Sequence, residues 1–300
     1  MLCKVFYKVF AVSMIFMFAL CGISLSQQDP YARPYTPGVD ADIDMYFGNW
    51  MESMPIQTHG SLVERAMLTK GDPLKPPRKG AVLKYVNRYS YASLSAYDTT
   101  KPTILKEEQE IFYIISGKGV IKAGKEKSEL QNGSSILIPS DLEFTITNTG
   151  DEPLTMFLIN EPTPLGFIPN KKMFVNDAHT TPILSTNGHW CHIVKMLVDR
   201  KDGLGTLSYV LTISLDSMTL AHPHPHIDGC EEVYAGLEGT SVAFLGKQLR
   251  MLSPGTAYMI PPDGKTPHSN INVTDKRITM FYFVYHGELD QYKVKFRNAK

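Results

Sequence analysis

From Ala81 onward the chain is a succession of short apolar runs, many alternating with polar residues at every second position, broken by Gly, Pro and Asn. The runs are AVLKYVNRYSYASLSAY, EIFYIISG, GVIKAG, SSILIP, EFTITN and TMFLIN. Alternation puts successive side chains on opposite faces of a strand, and turn residues at this spacing indicate an all-β barrel or sandwich. The same texture returns after residue 205 as TLSYVLTISLDSM, EEVYAGLEG, SVAFLG, TAYMIP and ITMFYFVYH. Residues 27–78 lack a sustained period and are rich in Pro and polar residues, which predicts an arm packed on the domains, with a short helix around Asp40 to Met54.

The two β-rich stretches are copies of each other. Glu110, Gly117, Gly133 and Pro139 correspond to Glu232, Gly239, Gly255 and Pro261, all displaced by 122 residues. Beyond Pro261 the displacement becomes 124, because PPDGKTPH is two residues longer than PSDLEF, so Phe144 faces His268 and Asn148 faces Asn272. The expected organisation is a segment 1–26, the arm 27–78, a first β-domain 79–162, a connecting segment 163–204 and a second β-domain 205–300.

Composition narrows the partners. Thirty basic residues balance thirty acidic ones, so there is no electrostatic footprint for nucleic acid, and a small-molecule partner is expected. In residues 1–26, Lys4 and Lys8 precede an apolar run from Val9 to Ile23, and Ser24 and Ser26 supply small residues for cleavage. This pattern predicts a signal peptide and a secreted or periplasmic protein with no stable membrane insertion after cleavage. An uncleaved anchor and a lipid anchor on Cys21 are the competing readings. Cys191 and Cys230 remain after cleavage, too few for a disulfide framework, and no bridge between them is expected.

The candidate chemistry lies in the second copy. AHPHPHIDGCEEVYAGLEG is followed by GTAYMIPPDGKTPHSNIN. Residues two apart on a strand share a face, so His224 and His226 can aim at one interior point, with Glu232 opening the next strand and His268 following a Pro-Gly turn. Three imidazoles and a carboxylate suit one divalent ion, Fe, Mn, Ni, Co or Zn, with positions left open for substrate or water. His222 for one of the pair, or Glu231 for Glu232, are alternatives. In the first copy Pro102, Ile104 and Phe144 stand at the histidine positions and only Glu110 is kept, so a carboxylate among apolar neighbours is expected to hold no metal there.

These motifs resemble those of the cupin superfamily, strongly over residues 205–285 and in outline over 81–162. The family's His-x-His, Glu, Gly and Gly-Pro-Gly-His-Asn positions are His224, His226, Glu232, Gly239, Gly255, Pro261 or Pro262, Gly264, His268 and Asn272. The resemblance implies two jelly-roll (double-stranded β-helix) barrels in tandem, with the metal motif retained in the second. It departs in that five residues separate His226 from Glu232 where the family has three or four, and in the lengthened PPDGK turn. Such bicupins include oxygenases, isomerases, decarboxylases and hydrolases, among them plant-type ureidoglycine aminohydrolases, as well as storage proteins, and they often form homo-oligomers.

Strand parity puts Tyr234 on the face of Glu232, making it a candidate proton donor, and Asn270 and Asn272 on the face of His268. Arg250, Tyr258 and Tyr282 are candidates to hold a polar substrate, such as a sugar derivative or organic acid. Asn272 opens a glycosylation triplet, though its place in the second motif argues against modification. Cys230, Asp228, His189, His192 and His286 lack partners at ligand spacing and are expected to be ordinary structural residues.

Overall fold

The computed structural model describes residues 33–184 and 191–287. The expected signal peptide, residues 1–26, and His189 lie outside them. Residues up to Val39 form a separate unit, and the barrels are built from Asp40 onward. Among the described residues no helix is long and apolar enough to cross a membrane.

The first half contains β1 (Phe47–Asn49), β2 (Ile56–Thr58), β3 (Leu62–Lys70), β4 (Ala81–Leu83), β5 (Arg88–Leu94), β6 (Glu108–Ser116), β7 (Gly119–Ala123), β8 (Glu126–Leu130), β9 (Ser134–Ile138), β10 (Phe144–Asn148) and β11 (Leu154–Pro162). The second contains β12 (Phe174–Asp177), β13 (Ile193–Asp199), β14 (Tyr209–Leu215), β15 (His224–Pro225), β16 (Glu231–Glu238), β17 (Ser241–Leu245), β18 (Gln248–Leu252), β19 (Thr256–Ile260), β20 (Pro267–Ile271) and β21 (Ile278–Tyr285). Each half gives a large sheet and a small one: β12-β9-β6-β11-β5-β3-β2 over β10-β7-β8, and β1-β19-β16-β21-β14-β13 over β15-β20-β17-β18. These are the two tandem jelly-roll barrels that the resemblance implies, built from the strands that the alternation predicts.

Strand registers make the equivalence of the halves exact to the residue. Leu158, Phe112 and Ile136 lie side by side across β11, β6 and β9, and Tyr282, Tyr234 and Tyr258 do the same across β21, β16 and β19. The displacements are 124, 122 and 122, as the motifs indicate. In the loop ahead of β6 the displacement is instead 121. Thr103 bridges Phe144 where His224 pairs with His268, so Thr103 and Leu105, not Pro102 and Ile104, stand at the histidine positions. A shift inside an irregular loop leaves no periodic trace in sequence.

The repeat also reaches further than the sequence reveals. In place of a helix at Asp40 to Met54, the chain makes two short 3-10 turns, Ile43–Tyr46 and Trp50–Glu52, on either side of β1. A Cβ on Gly48 would lie 1.9 Å from the Met67 carbonyl oxygen, a close approach that only glycine permits. Strand β1, from the first half, completes the second barrel's large sheet beside β19, while β12, from the second half, completes the first barrel's sheet beside β9. Strands β3 and β13 carry matching irregularities, at Ala66/Leu68 and Met196/Val198, where they pair with β5 and β14. The arm and the connecting segment therefore play equivalent parts and exchange a strand between halves.

Between the barrels, Tyr89, Tyr113 and Phe157 pack on Phe281 and Phe283, with ring centroids 5.1–6.1 Å apart. Such aromatic pairs add to simple area burial. The first barrel's interior is hydrocarbon, including Leu94, Leu105, Phe112, Ile121, Ile136, Phe144, Ile146 and Leu158.

Candidate metal centre

At the interior positions of the second barrel the chemistry changes while the backbone does not. Phe112, Ile136, Phe144, Ile146 and Leu158 are replaced by Tyr234, Tyr258, His268, Asn270 and Tyr282, all buried. Burying phenol, amide and imidazole costs free energy unless each finds a partner. Tyr258 donates to Asn270 Oδ1 at 3.2 Å, and Tyr282 donates to Glu232 Oε1.

The polyproline-like His-Pro-His-Pro-His segment brings three rings together. His224 and His268 pair across β15 and β20 with centroids 4.5 Å apart, and His226 lies 4.9 Å from His268. One nitrogen from each of His224, His226 and His268 falls within 4.8 Å of the others. His224 Nδ1 sits 2.9 Å from the His222 carbonyl oxygen. A carbonyl can only accept, so Nδ1 carries the proton and Nε2 presents its lone pair to the group. His222 itself stacks behind His224 at 4.7 Å and is not part of the three-ring group.

Glu232 supplies the charge. Its Oε2 forms a buried ion pair with His226 Nε2 and lies 3.6 Å from His268 Nε2. Burial would raise the Glu232 pKa, but His226, His268 and the Tyr282 hydroxyl outweigh it and hold the carboxyl well below its usual range. Burial also depresses His224. An ionised carboxylate facing three clustered imidazoles is a donor set that fits a divalent cation, the ion taking the place of the histidine protons that balance Glu232. The alternative carboxylate, Glu231, points elsewhere: it accepts from the backbone N–H of Lys84 at 2.6 Å and of Tyr85 at 3.3 Å, and burial pushes its pKa up to about 7.

Several sequence expectations change. Arg250 is not a substrate clamp, since its guanidinium pairs with Asp44 at 2.7 and 3.0 Å and fixes the arm to the outside of the barrel. Asn272 is buried, and Nδ2 donates to the Leu215, Asp216 and Lys276 carbonyls. Asn148 does the same for Leu94, Ser95 and Glu152. Tyr234 does lie beside the centre, 6.1 Å from the His268 ring and 4.8 Å from Tyr282, and burial raises its pKa well above the usual value. Cys191 and Cys230 are not joined in a disulfide.

Long-range pairing brings in residues that sequence spacing dismissed. His192, just ahead of β13, is buried and interacts electrostatically with Glu232, His224 and His222, and burial lowers its pKa to about 4. His286, at the end of β21, lies 6.4 Å from His226. Six of the nine histidines in the chain thus gather at one end of this barrel.

The first barrel meets its retained carboxylate differently. Glu110 is not surrounded by apolar groups alone: it accepts from His59 Nε2 at 2.9 Å, from Arg88 at 3.0 Å and from Asn160 at 3.2 Å. His59 comes from the arm with φ of 49° and its ring packs 5.5 Å from Phe144. Arg88 also binds Glu64, at 2.8 Å. Protein cations hold Glu110 where histidines face Glu232.

Residues 98–160 match the cupin domain family, which places the match on the first barrel. A relative by sequence, an uncharacterized protein of Methanocaldococcus jannaschii, is 28% identical over 106 residues, 31% of this chain and 85% of that protein. Among solved structures, a putative glyoxylate induced protein from Pseudomonas aeruginosa is 12% identical with a TM-score of 0.62, covering 84% of this chain and 93% of that one. An oxalate decarboxylase of Bacillus subtilis is 12% identical with a TM-score of 0.58 over 83% and 79% of the two chains. The 7S globulin of Momordica charantia is 10% identical with a TM-score of 0.60 over 81% and 85%.

Proposed function

We propose that this chain is a two-barrel cupin whose second barrel is a metal-dependent enzyme site for a small, oxygen-rich molecule and whose first barrel, where residues 98–160 match the cupin domain family, is the structural partner. The observation that carries this reading is the replacement, at matched positions, of a hydrocarbon interior by three phenols, an amide and an imidazole. A barrel that needed only to fold would keep the cheaper interior. The ligands would be His224, His226, Glu232 and His268. The ion would supply Lewis-acid or oxygen-activating chemistry.

The side chains divide the remaining work. Tyr282 fixes the Glu232 carboxylate through Oε1, leaving Oε2 directed at the histidines. The His222 carbonyl sets the His224 tautomer. Tyr234, held protonated at neutral pH by burial, is placed to give or share a proton with a bound oxygen function. Asn270 Nδ2, buried without a partner, is a donor for a substrate oxygen. A sugar derivative or organic acid offers the acceptors this interior can satisfy, and oxalate, the acid named for one structural neighbour, belongs to that class. The amino-terminal Lys4, Lys8 and Val9–Ile23 pattern supports export with cleavage before Gln27.

The test is elemental analysis of the purified mature protein, followed by oxygen uptake and product screening with small acids and sugars before and after chelation. Bound metal and chelator-sensitive turnover are expected. Turnover untouched by chelation would overturn the reading, and metal with ligand binding but no turnover would favour a binding or storage role. Edman sequencing of exported material should begin at Gln27.

A further inference from the structure

The unusual length of the loop between His226 and Glu232 has a structural product. Its five residues include Cys230, which a tight turn holds by a bond from its N–H to the Ile227 carbonyl, while the Gly229 N–H donates to the Pro262 carbonyl at 3.0 Å. The turn folds Cys230 back beneath His226, where it is buried. From the far end of β21, His286 arrives at the same point, its backbone N–H held by Ser208 Oγ at 3.0 Å and its ring 5.1 Å from the Tyr209 ring. One donor atom from each of His226, Cys230 and His286 lies within 4.8 Å of the others.

We infer that His226, Cys230 and His286 form a second cation position, containing sulfur, beside the first. This goes beyond the four-ligand centre and shares with it only His226. Two imidazoles and a thiolate are a soft donor set that selects Zn2+, Co2+ or Cu+ over the hard cations that carboxylates favour. His226 stands between the two groups, 4.9 Å from the His268 ring and 6.4 Å from the His286 ring; to hold both ions at once it would bind as an imidazolate through Nδ1 and Nε2, its ring proton and that of the Cys230 thiol being released to solvent.

Comparison with the first barrel supports a built feature. Displacements of 121, 122 and 124 put Leu105, Glu108 and Pro162 at the positions of His226, Cys230 and His286. None of the three donors is present there, and the Glu108 carboxylate is engaged by Asn87 at 3.2 Å. Folding does not require a thiol or an imidazole at these places, because the first barrel folds without them.

Cobalt discriminates the two positions. The mature protein, reduced and stripped with chelator, is titrated with Co2+ while bound cobalt and near-ultraviolet absorption are followed. Binding is expected to pass one ion and approach about two per chain, with a thiolate-to-cobalt charge-transfer band rising as it does. Cys230→Ser should abolish the band and return binding to about one, and His286→Gln should weaken the band at least tenfold in apparent affinity. His268→Ala should remove the other ion and keep the band. Circular dichroism of each variant, with Cys230→Ala as a second replacement, reports that the fold is intact.

One bound cobalt with no band would overturn the second position and leave the four-ligand centre standing. A band lost in His268→Ala would make Cys230 a ligand of a single ion and equally overturn it. Failure to bind cobalt at all would defeat both readings.

Discussion

Glu110 and Glu232 occupy the same register position in their barrels, opposite Ile138 and Ile260 respectively, and meet opposite chemistry. Glu110 is compensated by Arg88 and His59. Glu232 faces His226 and His268. The predictions follow from this divergence.

At Glu232, Tyr282→Phe removes the single hydroxyl that binds Oε1 and leaves the ring packing in place. Loss of an outer partner of a ligand lowers metal affinity by roughly 10- to 100-fold. Competition titration against a calibrated chelator should measure that drop, while thermal unfolding of the metal-free variant stays close to wild type.

At Glu110, Glu110→Gln leaves Arg88 with Glu64 alone and takes the anion from His59. Removing one member of a buried ionic network costs about 3–5 kcal/mol. Urea unfolding should report a loss of that order, and an effect below about 1 kcal/mol would contradict the compensation described here.

The same network gives a pH signature. Burial would lower the His59 pKa, but the hydrogen bond and charge of Glu110, with the charge of Glu64, raise it above 6.5. A raised histidine contributes stability fully below its unfolded pKa and loses it as pH climbs through the folded value. Burial would raise the Glu64 pKa, but Arg88, Thr58 and His59 lower it below 4.5, so its contribution is present above 4.5 and fades as pH falls through the lowered value. Thermal stability of the metal-free protein should therefore decline on the alkaline side above pH 6.5, and His59→Gln should flatten that decline.

Arg250→Ala severs the surface pair with Asp44. Because the pair is exposed, a cost of at most about 1 kcal/mol is expected, with metal content and turnover unchanged. A large fall in turnover would return Arg250 to the site.

Asn272→Ala should destabilise by about 1–3 kcal/mol, since three carbonyls lose their donor. Intact mass spectrometry of material from a glycosylating host should show no sugar on Asn272, whose side chain the fold already consumes.

Much of this was legible in sequence because it depended on local periodicity. Alternation, Gly-Pro turns and a fixed displacement identified both barrels, and the residues chosen as ligands do meet at one end of the second. The arm was misread because β1 is strand only by virtue of β19, a partner more than two hundred residues away. His192, His286 and Cys230 carry no spacing signal for the same reason: they come from just ahead of β13, just past β21 and the loop before β16, and only the fold brings them near His226 and Glu232. Arg250 shows the reverse failure, since its charge suggested a ligand clamp before its partner Asp44 was known. His59 gave no signal at all, being a single histidine in an aperiodic segment.

The exchange of β1 and β12 has a consequence for how such a chain could arise and come apart. Each half closes the edge of its large sheet with a strand lent by the other, so a half cut free would leave β9 or β19 with an unpaired edge. Cut between β11 and β12, the two fragments would be expected to re-form an interlocked heterodimer and not two free barrels. The chain is thus organised as an intertwined dimer whose subunits have been fused end to end. Such a fusion lets the interior of one half diverge while its lent strand still completes the sheet of the other.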